Sequence, residues 1–201
     1  MPVILHVTDI HCATRNLARV LRSESYDIVA ATGDYECLDT VDTLLKESKG
    51  RLVAVTGNID NASIAGRLRE SGVLLDGRLA NINGYTFAGL GGLDLASSIQ
   101  SLNGRLEDNV KVDFLLSHHP PKGILDRVFF GLHAGSRDVA RIVERLKPKA
   151  HLFGHIHEAR GSIVVGGTLY VNAGPLKRGY YSVVSCGDNG CGAEMKRLGQ
   201  S

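Results

Sequence analysis

Tryptophan is absent from this 201-residue chain, aromatic residues of all kinds amount to 5%, and no apolar run approaches membrane-spanning length. A transmembrane helix needs about 20 consecutive, mostly apolar residues, so no membrane association is expected. Scarce aromatics leave little surface on which unpaired bases can stack. A formal net charge of +2, with Lys and Arg scattered along the chain, supplies no broad basic field; nucleic acid is therefore not indicated by charge. The opening residues, Met1-Pro2-Val3-Ile4-Leu5-His6, have neither a basic leader nor an apolar stretch of signal-peptide length, and a cytoplasmic protein is expected. Cysteine is sparse too. Cys12 and Cys37 stand alone and are expected to be reduced. Cys186 and Cys191 flank Gly187-Asp188-Asn189-Gly190, a turn sequence that would face them across a hairpin. Reduced thiols are the favoured expectation there as well. With no second Cys or His pair nearby, a structural zinc site is not expected.

What is present is the composition of an ordinary globular protein, 43% hydrophobic and 22% charged, so disorder is not expected. One domain over residues 1–201 is the economical account. Strand-like runs at 3–7, 27–31 and 51–55 alternate with helical patterns at 13–22, 38–49 and 62–71, which predicts parallel strands covered by helices. Short strands at 74–75, 79–82 and 85–88 follow, with Asn83-Gly84 as a hairpin turn. A polar helix over 93–105, a strand at 112–116, an amphipathic helix at 136–146 and a strand at 150–153 complete the middle. The tail, at 162–165, 169–172, 180–185 and 193–198, reads as antiparallel strands joined by Gly-rich turns. The fold class is α/β.

Five polar blocks each follow an apolar run: Asp9-Ile10-His11, Gly33-Asp34, Gly57-Asn58, Ser117-His118-His119 and Gly154-His155-Ile156-His157. In parallel α/β sheets, ligands gather beyond the carboxyl ends of strands. In an extended chain, residues i and i+2 share a face, which lets Asp9 and His11 converge on one ion and His155 and His157 on one or two. Two carboxylates, an amide and four imidazoles form a mixed oxygen and nitrogen set. Such a set suits manganese first, and iron, zinc, nickel or cobalt, better than calcium. Seven donors are too many for one ion and suit two, the arrangement that clamps both oxygens of a phosphoryl transfer.

The order Asp-X-His, Gly-Asp, Gly-Asn, His, Gly-His-X-His resembles the calcineurin-like metallophosphoesterases, with the motifs running from Asp9 to His157. The resemblance implies a four-layer α/β/β/α sandwich with two mixed sheets and a dinuclear centre. By position, Asp9, His11 and His157 would hold one divalent transition-metal ion. Asn58, His118 and His155 would hold the other, and Asp34 would bridge. His118 is taken over His119 because it comes first after its strand, as the family's ligand does. The implied chemistry is hydrolysis of a small phosphate ester, a phosphodiester or nucleotide-like phosphate, by a metal-bridging hydroxide. His118 and Asn58 would help offset phosphoryl charge. A homo-oligomer is left open.

Many relatives carry histidine directly after Gly-Asn, where it contacts substrate; here the run is Gly57-Asn58-Ile59-Asp60. Ile59 cannot transfer a proton. His119 and His133 are the candidate replacement acids, His133 lying in the long segment after Pro120-Pro121, where the alternative is packing against Phe129 or Phe130. Asp60 is expected to orient a ligand histidine or cap the next helix. Two other readings stand beside the enzyme: a non-catalytic protein-binding scaffold, since the sequence also resembles the retromer scaffold subunit, and a metal-dependent nuclease.

Overall fold

The apolar runs Val3–Val7, Ile28–Thr32 and Leu52–Val55 form strands β1, β2 and β3. In the computed structural model, which describes residues 2–106, 110–187 and 190–199, β1 pairs in parallel with β2 and β2 with β3. Each return to the sheet is made by a helix: α1 (Thr14–Ser23) and α2 (Leu38–Ser48), with α3 (Ala62–Glu70) after β3. Their spacing puts Leu17, Val20 and Leu21 of α1, Val41 and Leu44 of α2, and Ile64 and Leu68 of α3 on buried faces. The α3 terminus is capped by Asn61, whose side-chain oxygen accepts from the backbone of Ser63 and Ile64. Asp60 therefore does not cap this helix.

A second group of strands comprises β4 (Arg78–Ile82), β5 (Tyr85–Leu90), β6 (Phe114–Ser117), β7 (Ala150–Phe153), β8 (Gly161–Val165) and β9 (Thr168–Asn172). They form a six-stranded sheet in the order β4-β5-β6-β7-β9-β8, with β5, β6, β7 and β9 parallel. Asn83 and Gly84 turn the β4–β5 hairpin in the left-handed region, as their sequence predicts. Helices α4 (Leu95–Asn103) and α5 (Arg137–Leu146) lie outside. Ser136 caps α5 by accepting from Val139 at 3.2 Å.

Three apolar cores separate four layers. One joins the first sheet to α1, α2 and α3; one, with Ile4, Ile28, Val53, Phe87, Phe114 and Leu152, fills the space between sheets; one joins the second sheet to α4 and α5. This is the α/β/β/α sandwich with two mixed sheets.

The tail forms two antiparallel pairs, as expected, but they lie in different sheets. Strands β10 (Tyr180–Gly187) and β11 (Gly190–Arg197) join the first sheet beside β1, whereas β8 and β9 belong to the second. Strand β9 runs parallel to β7 because the chain re-enters after β8 in the sense of the neighbouring strands. Residues 74–75 form only a bridge, Leu74 to Ala54, instead of a strand. The cysteines are a correction as well. Cys12 pairs with Cys37 (Cα–Cα 5.3 Å) and Cys186 with its register partner Cys191 (Cα–Cα 4.0 Å). The first pair was invisible in sequence because it depends on the β1 and β2 loops lying side by side. Residues 188 and 189, the centre of the turn expected between Cys186 and Cys191, lie outside the described residues.

Candidate metal centre

All five polar blocks fall at carboxyl ends of parallel strands: β1, β2 and β3 from one sheet, β6 and β7 from the other. The backbone there is unusual. Asp9 (φ 48°), His11 (φ 47°), Asp34 (φ 57°) and His155 (φ 71°) all adopt left-handed conformations, which cost a non-glycine residue about 1–2 kcal/mol each. Asp9 and His11 thus converge through a left-handed turn beyond the strand, not through strand alternation. His155 and His157 do not converge with each other. The His155 ring stands against His118 (centroids 5.0 Å), while His157 faces His11 and Asp9.

Backbone hydrogen bonds hold these turns. Asp9 N–H donates to Gly33 O (3.1 Å), His11 N–H to Asp34 O (2.9 Å) and Cys12 N–H to Tyr35 O (3.2 Å). The Cys12–Cys37 bond ties the same two loops. Asp60 is buried, and its carboxylate accepts from the N–H groups of Asp34 (3.1 Å), Tyr35 (2.8 Å), Glu36 (3.1 Å) and Gly57 (2.7 Å). It therefore fixes the Gly-Asp loop against the Gly-Asn loop, and among the described residues it has no hydrogen bond to a ligand histidine. The glycines of these blocks are sterically required, and a methyl on Gly33 would strike the Gly57 backbone. A methyl on Gly57 would strike the Asp34 carboxylate, and one on Gly154 would strike Asp9 and Thr8.

Two groups of donors converge: Asp9, His11 and His157, and Asp9, Asp34 and His118, each with ligand atoms within 4.8 Å of one another. Asp9 belongs to both. Asn58 adjoins the second group, its Oδ1 lying 2.9 Å from His118 Nε2. Ring orientations suit cation binding. His118 Nδ1 meets Thr32 O at 2.8 Å and His11 Nδ1 meets Glu36 at 3.1 Å, so both rings turn Nε2 inward. His11 and His157 then face each other through Nε2 atoms 3.4 Å apart, and Asp9 lies 3.3 Å from His157. Outer hydrogen bonds that orient an imidazole are the usual support of a metal ligand. The donor set and its geometry fit divalent cations. Glu36, Thr32 and the fourfold role of Asp60 escaped sequence reasoning, because each acts through a neighbour brought close only by folding.

Electrostatics follow the same division. Burial opposes charge on His118, but its bond to Asp34 and the nearby Asp9 carboxylate outweigh this and raise its pKa to about 9. His157 is raised by its bond to Asp9. Burial also opposes charge on Asp9, yet its bond from His157 and the nearby His118 hold its pKa below the usual range. His155 is lowered by burial and by His118. Because the folded pKa of His118 lies above its ordinary 6.5, the ion pair with Asp34 stabilises the fold fully below that pH and fades as pH rises through about 9. A cation binding His118 must displace the proton. Manganese affinity should therefore increase roughly tenfold per pH unit below about 9. Calorimetric titration between about pH 6.5 and 8.5 checks this; a flat affinity profile contradicts it.

The candidate acids occupy different places. The His119 ring lies 4.6 Å from that of His155, and burial with the neighbouring His118 lowers its pKa to about 4. His133 makes no hydrogen bond or ring contact with the ligands among the described residues. It does not pack on Phe129 or Phe130, which are exposed; its Nδ1 meets the buried Asp126 carboxylate at 2.6 Å. Ile59 is partly exposed and donates its backbone N–H to Asp34 Oδ1 at 3.3 Å. A cavity of about 370 Å³ opens on the centre, lined by His11, Glu36, His157, Pro175, Lys177 and Arg178. No helix among the described residues is long and apolar enough to cross a membrane.

Comparison with known proteins places this arrangement. A UPF0046 protein of Caenorhabditis elegans is 42% identical over 65 residues, which cover 32% of this chain and 22% of that protein. The chain thus matches about a fifth of that relative's length. A solved Thermus thermophilus protein superposes with a TM-score of 0.69 at 18% identity, covering 96% of this chain and 98% of that one. A solved archaeal phosphodiesterase does so with 0.59 at 14% identity, covering 96% and 99%. At such identities the likeness is one of fold. The family model described as the calcineurin-like phosphoesterase superfamily domain matches residues 3–186, and the chain belongs to that superfamily.

Proposed function

We propose that the chain, acting as one domain over residues 1–201, is a two-metal phosphoesterase that hydrolyses phosphodiesters or nucleotide-like phosphates. The observation that carries this reading is the pair of donor groups sharing Asp9. Asp9, His11 and His157 would hold one divalent ion; Asn58, His118 and His155 would hold the second, with Asp34 between them. Manganese is the proposed metal. Bound there, the ions would supply an activated water and positive charge to offset the phosphoryl oxygens. The protein's own part is orientation: Thr32 and Glu36 aim the rings of His118 and His11. Asn58 and His118 lie together at the second group, where they can also meet phosphoryl oxygens.

The test is turnover of bis(p-nitrophenyl) phosphate and p-nitrophenyl phosphate by chelator-stripped protein reloaded with manganese, nickel, zinc or magnesium. Faster turnover of the diester supports the phosphodiesterase reading. No turnover with any metal would sink it.

Proton delivery to the leaving group is the weak step. Ile59 has no proton to give, and His119, lowered to about 4, holds none at neutral pH. Turnover should therefore favour good leaving groups. Ile59→His should raise kcat/KM on an alkyl phosphodiester by about tenfold or more, within the range for general acid catalysis. Its effect on bis(p-nitrophenyl) phosphate should be much smaller. Equal gains on both substrates would contradict a proton-transfer role at this position.

A further inference from the structure

The polar wall of the metal centre continues outward. A second cavity, of about 490 Å³, is lined by Asn16, Arg19, Lys177, Arg178 and Arg197, among others. Lys177 and Arg178 line both cavities. The two therefore adjoin at these residues, forming a groove whose inner part is lined by His11 and His157. Residues scattered in sequence are gathered here by the fold: Arg19 from α1, Lys177 and Arg178 from the short turn Leu176–Arg178, and Arg197 from the end of β11.

The turn carrying Lys177 and Arg178, and the Arg19 side chain, are held by neutral partners. Leu176 N–H donates to Thr8 O (3.0 Å), which hangs the turn on the segment leading into Asp9. Asn16 Nδ2 donates to Leu176 O (3.0 Å), and Arg19 donates to Gly199 O (3.3 Å). No carboxylate lines the outer cavity among the described residues, and none of its four cations is in an ion pair there. Elsewhere arginines do find partners, as Arg22 does with Glu47, Arg67 with Asp42 and Arg141 with Asp138. Four cations without an ion pair among the described residues, against the single carboxylate Glu36 in the lining of the adjoining cavity, focus field on an anion, and guanidinium forks suit phosphate oxygens. The neighbouring aromatic points away from base recognition. The Tyr180 ring already carries the guanidiniums of Arg160 (4.6 Å) and Arg197 (5.0 Å), so it offers no free platform for stacking.

We propose that this groove is an oligophosphate-binding site that holds phosphate groups carried by a substrate beyond the one at the metal centre. The substrate class is then an ester of a di- or triphosphate. The substrate assignment rests on the phosphoesterase reading; the binding site itself does not.

The test is calorimetry of inorganic tripolyphosphate with the intact, chelator-stripped protein, alongside histidine ring-proton NMR. Tripolyphosphate should bind at least about tenfold more tightly than orthophosphate and weaken with added salt. Arg19→Gln/Arg197→Gln should weaken it about tenfold or more, whereas Arg141→Gln on α5 should not. Should the double variant misfold, Lys177→Gln and the wild-type salt dependence give the same reading. The His157 ring signal, assigned through His157→Gln, should shift with the same Kd. Unchanged affinity in the variants, equal binding of orthophosphate, or an unmoved His157 signal would each overturn the proposal. Tripolyphosphate binding without phosphoesterase turnover would leave the groove standing and remove the enzyme reading. Turnover without that binding would remove only the groove.

Discussion

Asp34→Ala should lower turnover of bis(p-nitrophenyl) phosphate about a thousandfold or more while leaving the fold in place. A thousandfold corresponds to about 4 kcal/mol at the transition state, the scale expected for losing the carboxylate that the proposed two-metal reading assigns to both ions. The side chain sits where its loss reaches furthest. One oxygen lies 3.4 Å from His118, and the other accepts from Ile59 N–H. Without it His118 loses the first of the charges that hold its pKa up, and burial then favours the neutral ring. The structural cost is small by comparison: one backbone hydrogen bond and part of one ion pair, roughly 1–2 kcal/mol. Far-ultraviolet circular dichroism and urea midpoints should thus stay near wild type while metal binding and turnover collapse. Turnover within about tenfold of wild type would rule out the central role assigned to Asp34.

Asp60→Ala should have the opposite profile, with stability lost first. Its carboxylate is the acceptor for four backbone N–H groups drawn from two loops. Each buried donor left unmet costs about 1–3 kcal/mol. Entering water will relieve some of that, so a loss of at least about 3 kcal/mol is expected, which places this change among the severe ones. For a chain of this size that corresponds to a fall in Tm of about 6–12 °C. Asp60→Asn keeps one acceptor oxygen and should fall between the two. Urea unfolding measures the difference; a shift below about 1 kcal/mol would mean the loops are held by their other contacts, the Cys12–Cys37 bond included.

Much of this was legible beforehand. Val3–Val7 and Ile28–Thr32 are short apolar runs, and the chemistry of Asp9, Asp34 and His118 follows from what stands at their ends. Helices α1 and α5 announced themselves through Leu17, Val20 and Leu21, and through Val139, Ile142 and Val143. What sequence could not show were relations between segments. Asp60 reads as an ordinary residue ahead of a helix until the loop carrying Tyr35 is laid against it. The same holds for Cys12 and Cys37. Arg19 and Arg197 lie near opposite ends of the chain, so no charge count along the sequence could place them around one groove. The left-handed backbone at His11 and His155 was equally hidden, because histidine's modest preference for it does not mark which histidine adopts it.

That left-handed backbone has a practical consequence. The turns bearing Asp9, His11 and Asp34 are laced to one another by main-chain hydrogen bonds. A cation would therefore be a guest in a finished frame, unlike the ion of a zinc finger, whose removal unfolds the domain. One batch of purified protein can then be stripped and charged with different metals in turn, without refolding between them. Its melting temperature should track only the mass-action contribution of the ion supplied.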